Sequence, residues 1–384
     1  MRTIGVVTTS RADYGIYLPV LREIESAPGM LVRMMVSGSH LAPEFGMTVR
    51  AIEDDGFAIG DRIEVLLSSD TPEATVKSMA LGLLGFAQSF GRQRPDVLLV
   101  LGDRFEMHAA ALAALPFRIP VAHIHGGEVT LGAFDDALRH SLTKLSHLHF
   151  VATEEHARRV RQLGEEAWRV TVSGAPALDH LGRMTLLSVD EVERQFGLRL
   201  GRHFVLATFH PATLDAADPA EQVGALLTAL EGVGLPVVIT MPNADPGGRA
   251  IRAVIQARAE RNQLLQPIEN LGTQSYFSLM ATADVLVGNS SSGIIEAASF
   301  GLPVVNIGSR QDGRTRGRNV VDVDASPASI AAGLARALTP AFKAGLAGGE
   351  NPYGDGRAAE RIVARLQQVD LGAALTLKAF VDSR

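Results

Sequence analysis

The chain has 384 residues, more than a single hydrophobic core usually holds, so two domains are expected. Apolar residues make up 46% and charged residues 20%, a composition typical of compact globular proteins, which excludes a disordered chain. A net charge of −6, without a basic stretch interleaved with aromatic residues, argues against a nucleic-acid partner. The absence of cysteine excludes disulfides, thiolate metal sites and a thiol nucleophile.

The first segment predicts a strand over residues 4–8 and not a secretory signal, because a charged region followed by an apolar one is missing. No apolar run approaches membrane-spanning length. We therefore expect a cytoplasmic protein with no membrane partner.

The first half of the chain alternates short β-branched segments with amphipathic ones, a pattern typical of βαβ units on a parallel sheet. Helices are expected around residues 18–26 and 73–90. The expected strands after the first one lie at residues 31–36, 97–101, 121–124, 148–152 and 170–173.

The segment 178–202 has no apolar strand and is rich in helix-forming charges, so we place the domain junction there. The alternation then restarts and predicts a second doubly wound sheet. Its expected strands lie at residues 204–207, 237–240, 284–287 and 304–307, and apolar residues at helical spacing predict a last helix over 357–369.

Polar clusters follow six of the predicted strands. In open α/β sheets, ligands bind outside the carboxyl ends of the strands. Any one cluster fits ordinary loop polarity, but six together predict a ligand cleft. The clusters lie at residues 8–13, 102–105, 123–128, 209–211, 242–243 and 288–293.

The serine-rich run at residues 288–293 leads into a predicted helix. Hydroxyls and free backbone N–H groups at a helix N-terminus can hold a phosphate, and a serine there can equally be a simple N-cap. The spacing leaves both readings open, since it matches neither a Walker loop nor a dinucleotide fingerprint. Glu296, expected on the first helical turn, could bind ribose hydroxyls. Three arginines could add charge beside the phosphates or simply be solvated: Arg310, Arg314 and Arg316.

The run His-Ile-His-Gly-Gly-Glu at residues 123–128 offers possible ligands for a metal ion, and His123 and His125 would share one face of a strand. No third ligand has a spacing that is itself a metal signature, so we expect neither a metal nor another cofactor. The two glycines permit close approach of a ligand.

Carboxylates in the same region suit general acid–base chemistry, because burial beside one another tunes their pKa values. Glu128 follows the glycine pair, and Asp135 and Asp136 follow a few residues later. The two aspartates could instead cap the helix that begins there.

Seven motifs together resemble the hydrolysing UDP-N-acetylglucosamine 2-epimerases of sialic-acid biosynthesis. They are SRADYG (10–15), GSHL (38–41), LGDRFE (101–106), HIHGGE (123–128), RHSLTKLS (139–146), FHP (209–211) and GNSSSG (288–293). The resemblance runs from residue 4 to about residue 356.

This resemblance implies an α/β fold of two Rossmann-like domains in a GT-B arrangement. Residues 1–180 would form the N-terminal domain with the sugar and acid–base residues, and residues 200–356 would form the UDP-binding domain. Residues 357–384 would pack a C-terminal helix back on the N-terminal domain. The resemblance also implies a homo-oligomer, either a dimer or a tetramer.

The implied reaction eliminates UDP together with the C2 proton of UDP-N-acetylglucosamine, giving a glycal. Water then adds with inversion at C2, and the products are N-acetylmannosamine and free UDP.

Matched motif positions imply roles for individual residues. Asp103, Glu128 and Asp135 would be the acid–base groups, and Glu296 would hold the ribose. The diphosphate and the rest of the nucleotide would be held by His210, Ser290, Ser291, Arg11, Asn243 and Arg310. Many family members have a catalytic glutamate where this chain has His125, so either His125 or Glu128 would supply that function.

The histidine form resembles a subgroup with two substrates. One is UDP-N-acetylglucosamine, and the other is UDP-2,4-diacetamido-2,4,6-trideoxyglucose of legionaminic-acid synthesis. The two sugars differ at C4 and C6, and the sequence leaves the choice open. Other classes also remain: a GT-B glycosyltransferase would need an acceptor surface, a non-hydrolysing epimerase would retain UDP, and a sugar-nucleotide sensor would not need the carboxylates.

Overall fold

The computed structural model describes residues 1–69, 71–129, 131, 135–211, 218–242 and 248–382. The chain divides into two compact units, each with one parallel sheet. The first unit contains Met1–Val129, Ala133–His180 and Gly356–Arg384, and the second contains Leu181–Asp355.

Strands and helices alternate along most of the chain. The strands are β1 (Arg2–Thr8), β2 (Met30–Ser37), β3 (Ile59–Ile63), β4 (Val97–Leu101), β5 (Val121–Ile124), β6 (Leu148–Val151), β7 (Val170–Val172), β8 (Val205–Thr208), β9 (Val237–Thr240), β10 (Leu265–Ile268), β11 (Val285–Gly288), β12 (Val304–Ile307) and β13 (Val320–Val323). The helices are α1 (Arg11–Ser26), α2 (Val49–Asp54), α3 (Pro72–Arg92), α4 (Phe105–Ala114), α5 (Asp135–Leu145), α6 (Glu154–Gln162), α7 (Asp179–Arg183), α8 (Val189–Phe196), α9 (Pro219–Glu231), α10 (Gly248–Ala259), α11 (Gly272–Met280), α12 (Ser291–Ile295), α13 (Pro327–Ala337), α14 (Pro340–Ala344), α15 (Ala358–Gln368) and α16 (Ala373–Thr376).

Both sheets have the doubly wound strand order. The first runs β3-β2-β1-β4-β5-β6-β7 and the second runs β10-β9-β8-β11-β12-β13, with every neighbouring pair parallel. The order reverses between β1 and β4 in the first sheet and between β8 and β11 in the second. At such a point the loops that follow the two adjacent strands run to opposite sides of the sheet, so a crevice opens beyond the carboxyl ends of these strands.

Central strands are mostly apolar because helices cover both faces of a parallel sheet. All five residues of β4 are buried. The predicted central strands are found, but the apolar pattern did not predict β3, β10 and β13, which are all edge strands. An edge strand is covered less completely and has one unpaired side, so it can include a charged residue such as Arg62 or, in β10, a proline that lacks an N–H donor, Pro267.

The C-terminal helix α15 belongs to the first unit, as predicted. It packs against α1, and Ile362 and Leu366 join the core of the first sheet. The Asp179 carboxylate accepts hydrogen bonds from the first backbone N–H groups of α15, at 2.9 Å from Ala358 and 2.6 Å from Ala359. This cap satisfies donors that a helix N-terminus leaves unpaired and adds a favourable charge there.

Three buried histidines of the first unit are expected to make its stability depend on pH. Burial lowers the pKa of His123 to about 3 and the pKa values of His147 and His156 to about 4. The unfolded chain, with histidine pKa values near 6.5, therefore binds more protons between pH 6.5 and 4. Stability should be complete above that window and fall as the pH drops through it, by up to about 1.4 kcal/mol per histidine and pH unit.

Denaturant unfolding at pH 7, 6 and 5 checks this expectation, with fluorescence of the single tryptophan, Trp168, as the reporter. The control variant is His147→Asn, because an amide oxygen can still accept the bond that Val121 N donates to His147 Nδ1 at 3.1 Å. It should show a shallower pH dependence. An unfolding midpoint that stays constant from pH 7 to 5 would contradict the prediction.

Candidate active site

The loop after β1 is held by a buried carboxylate. Asp13 accepts hydrogen bonds from the hydroxyls of Thr8, Thr9 and Ser10, at 2.6 Å for Thr9 and 2.9 Å for Ser10. Ser10 in turn caps α1 by accepting from Asp13 N. The network fixes the loop at the strand-order reversal and leaves Arg11, the first residue of α1, exposed.

Arg139 joins the carboxyl ends of β4 and β5. This arginine lies on α5 and is buried. Its Nη2 forms an ion pair with Asp103, which directly follows the loop glycine after β4, and its Nη1 donates to the His125 carbonyl at 3.1 Å. A single guanidinium therefore positions the carboxylate of one loop and the backbone of the next, in a buried setting where charged hydrogen bonds are strong.

His125 and Glu128 form a buried pair. The imidazole Nδ1 lies 2.5 Å from Glu128 Oε1, and both residues are less than a tenth exposed. With Nδ1–H donating to the carboxylate, the other ring nitrogen, Nε2, is left as the basic one. The two residues that the sequence left as alternatives therefore share one hydrogen bond.

The backbone between the pair is strained into a tight turn. His125 has a φ of 64°, a conformation that costs a non-glycine residue about 1–3 kcal/mol. Gly127, with a φ of 74°, is required because a Cβ there would lie 2.5 Å from the His156 carbonyl oxygen. Strand β5 ends at Ile124, so the expectation that both histidines share a strand face was wrong. His123 instead points to the Gly102 carbonyl, 2.8 Å from its Nε2.

Asp135 begins α5 together with Asp136. Burial and the neighbouring Asp103 carboxylate raise the pKa of Asp135, against the opposing charges of Arg104 and Arg139. Both aspartates lie in the first turn of the helix, where a negative charge is also favourable for the dipole. The structure thus brings Asp103, Asp135, His125 and Glu128 to neighbouring loops of the first sheet.

In the second unit, Asn289 links the ends of β8 and β11. Its side-chain oxygen accepts from His210 N at 2.7 Å, and its amide nitrogen donates to the His210 carbonyl at 2.8 Å. Burial, with the Arg310 charge as a second cause, lowers the pKa of His210 to about 4, so its ring is neutral near pH 7. No hydrogen-bond partner of His210 Nδ1 lies within the part of the chain that the structure describes.

The serine-rich loop after β11 caps α12. Ser290 Oγ accepts from Ser292 N at 3.3 Å, so this serine is the N-cap of α12, and Ser291 begins the helix. The sequence predicted Glu296 on the first turn of this helix. The residue lies instead at the C-cap of the five-residue helix. Burial raises the pKa of Glu296 to about 7, and its Oε2 is buried without a hydrogen-bond partner among the described residues.

The arginines of the same region differ in their contacts. Arg310 Nη1 donates to the Asn289 carbonyl at 3.1 Å, so it lies beside the serine loop. Arg316 binds Asp322, with Nε 3.2 Å from Oδ2, so a carboxylate already balances its positive charge. Asn243 lies outside the described residues.

Arg139 and Asn289 lie in the motifs RHSLTKLS (139–146) and GNSSSG (288–293), which did not by themselves indicate a role for either residue. Gln311, whose Nε2 donates to the Asn289 carbonyl at 2.8 Å, carried no motif signal. Among the residues described, no group of three or more potential metal ligands comes together, and no helix is long and apolar enough to cross a membrane.

Two units with doubly wound parallel sheets and polar loops at the strand-order reversals define an α/β protein with a GT-B-like fold. The crystal structure of UDP-GlcNAc 2-epimerase from Neisseria meningitidis bound to UDP-GlcNAc shares this fold, with a TM-score of 0.83 at 20% identity over 96% of this chain and 100% of that one. The predicted fold class is confirmed. The family model of UDP-N-acetylglucosamine 2-epimerase matches residues 22–367, so the chain belongs to that family of enzymes.

Two relatives are 38% identical to this chain. UDP-N,N'-diacetylbacillosamine 2-epimerase (hydrolyzing) of Legionella pneumophila matches over 97% of both chains. GDP/UDP-N,N'-diacetylbacillosamine 2-epimerase (hydrolyzing) of Campylobacter jejuni matches over 84% of both.

Proposed function

We propose that the protein is a hydrolysing 2-epimerase of a UDP-linked 2-acetamido sugar, which eliminates UDP to form a glycal and then hydrates it. The observation that carries the proposal is the cluster of acid–base groups that Arg139 organises at the carboxyl ends of β4 and β5. Both 38% identical relatives are named as hydrolyzing epimerases, which supports release of the sugar from UDP.

The chemistry needs two proton transfers at C2. A base removes the C2 proton as the anomeric C–O bond breaks, and the bond electrons leave with the diphosphate. In the second step a group on the opposite ring face returns a proton to C2, while water adds at C1 and gives up one of its own protons to a base. The His125–Glu128 pair and the Asp103–Asp135 pair supply these groups, and the raised pKa of Asp135 favours a carboxyl that can donate a proton.

The second unit holds the nucleotide in this proposal. His210, Ser290 and Ser291 bind the diphosphate with Arg310, because hydroxyls and a guanidinium suit phosphate oxygens. Glu296 binds the ribose hydroxyls, which would satisfy its buried unpaired oxygen, and Asn243 binds the remainder of the nucleotide.

The sugar is the second part of the proposal. N,N'-diacetylbacillosamine is 2,4-diacetamido-2,4,6-trideoxyglucose, and the names of both 38% identical relatives specify it, so we place this UDP-sugar first. UDP-N-acetylglucosamine is the second candidate, favoured by the description of the family model. A site that pairs the C4 and C6 groups of one sugar should discriminate strongly against the other, because mismatched polar groups would stay unpaired.

Incubation with each UDP-sugar separately in deuterated water tests the proposal. NMR should show free UDP and a manno-configured sugar with deuterium at C2, and a larger kcat/KM for the diacetamido substrate. An epimerised sugar still joined to UDP would contradict hydrolysis, and no turnover of either sugar would favour a sensor or a transferase that lacks its acceptor. A larger kcat/KM for UDP-N-acetylglucosamine would reverse the order of the two substrates.

A further inference from the structure

Residues 373–381, which comprise α16 and the segment after it, form a C-terminal strap on the first unit. The buried guanidinium of Arg169 donates to three strap carbonyls at 2.8–3.1 Å, those of Ala374, Leu375 and Leu377. At the far end of the strap, Val381 N donates to the Gly164 carbonyl at 3.0 Å. The strap is therefore anchored on both sides of Lys378.

The ammonium group of Lys378 caps the C-terminal end of α5. Its Nζ donates to the Lys144 carbonyl at 2.8 Å and to the Ser146 carbonyl at 2.6 Å. The last carbonyls of a helix have no partner within the helix, and a positive charge is favourable at that end of the helix dipole. The strap thus supplies both the hydrogen bonds and the charge that α5 needs at its end.

A buried carboxylate holds this ammonium in place. Glu165 Oε1 accepts from Lys378 at 2.9 Å and from Lys144 at 2.6 Å, and its Oε2 lies 3.0 Å from His149 Nε2. Burial alone would raise the pKa of Glu165, but the hydrogen bonds from His149 and the two lysines lower it to about 2. The carboxylate is therefore charged at neutral pH and keeps Lys378 against the helix.

Helix α5 also carries two groups of the candidate active site. Asp135 lies in its first turn, and Arg139 pairs with Asp103 and with the His125 carbonyl. The helix has 11 residues and is about 16 Å long. Because a short helix moves as one rigid element, a shift at its C-terminal end also displaces Asp135 and Arg139.

We propose that Lys378 is a positioning residue for the reaction: by capping α5 it sets where Arg139 and Asp135 lie relative to Asp103. The inference rests on the proposed function, because it concerns the acid–base groups of the same site. It adds a residue of the C-terminal strap to the set on which turnover depends.

The variant Lys378→Met tests the proposal in the full chain. Methionine has a side chain of similar length but cannot cap the helix, and Glu165 keeps its ion pair with Lys144. The kcat for UDP release should fall by about 10–100-fold, because small misplacements of catalytic groups are that costly. KM and the UDP affinity from calorimetry should stay close to the wild-type values. Lys378→Arg keeps the charge and the donors, so it should restore most of kcat.

Arg2→Met is the matched control, because Arg2 caps the C-terminal end of α15 in the same manner. Its Nη2 donates to the Val369 carbonyl at 2.9 Å, and its Nη1 donates to the Gln367 carbonyl at 3.2 Å. This variant should keep the wild-type kcat. The proposal would be overturned by a wild-type kcat in Lys378→Met, by an equal fall of kcat in Arg2→Met, or by a failure of Lys378→Arg to restore the rate.

Hydrogen–deuterium exchange measured by mass spectrometry separates this inference from the proposed function. Lys378→Met should raise the deuterium uptake of α5, including its first turn, whereas Arg2→Met should leave the uptake of α5 unchanged. A wild type that releases UDP from neither sugar would contradict the proposed function. An uptake of α5 that is the same in Lys378→Met as in the wild type would overturn the positioning role, whatever the activity.

Discussion

Replacing His125 with alanine is expected to lower kcat for UDP release by about 10²–10⁴-fold, the usual contribution of a proton-transfer group. Glu128→Gln should cost a similar factor. An amide can donate to the imidazole Nδ1, which would move the ring proton to Nε2 and remove the base. UDP affinity should be nearly unchanged in both variants, because both side chains are assigned to the proton transfers at C2 and not to binding of the nucleotide.

Steady-state UDP release and calorimetric titration with UDP separate the two effects. His203→Ala is a suitable control, because this histidine is exposed in the second unit and its side chain pairs with Asp284, at 3.0 Å, away from the residues assigned to the reaction. It should keep the wild-type rate. If Glu128→Gln were as active as the wild type while His125→Ala was inactive, Glu128 would have no orienting role. If both variants were fully active, the pair would not belong to the mechanism.

Replacing Gly288 with alanine is expected to destabilise the second unit by more than about 3 kcal/mol. Gly288 has a φ of 136°, and a Cβ there would lie 1.9 Å from the Thr208 carbonyl oxygen of the neighbouring strand β8. Both clashing groups are tied to the backbone, so β8 and β11 would have to separate. The next residue, Asn289, would then lose its two hydrogen bonds to His210, and UDP binding should weaken with stability.

Denaturant unfolding monitored by circular dichroism measures the effect. The matched control is Gly224→Ala in the middle of α9, where an added Cβ meets nothing within 4 Å. This variant should stabilise the protein by about 0.5–1 kcal/mol, because alanine is the better helix former. A stability of Gly288→Ala equal to that of the wild type would show that the strands tolerate the contact and would refute the prediction.

The pattern of apolar residues predicted the centre of each sheet and missed its edges. Strands such as β4 and β9 are buried on both faces, so a run of β-branched residues is enough to reveal them. The edge strand β3 alternates buried Asp61 with exposed Arg62, and the partners of Asp61, Arg33 and Arg92, are distant in sequence. Those ion pairs have no local signal.

Residue types and loop positions predicted the candidate site, while the pairings within it needed coordinates. The motifs pointed to His125, Glu128, Asp103 and Asp135 but left the first two as alternatives. The φ of 64° at His125 turns its ring toward Glu128. The sequence pattern predicted a continuing strand at this residue and therefore did not predict the turn.

The sequence by itself therefore determined two series of parallel strands, polar loops at their carboxyl ends, and the family to which those motifs belong. Only the tertiary structure decided the strand order that joins β1 to β4 and β8 to β11, and the contacts that follow from it. Periodicity selects the face of a strand or helix on which a side chain lies. A hydrogen bond such as that between Asn289 and His210 requires two loops, 79 residues apart, to be placed within a fraction of an ångström.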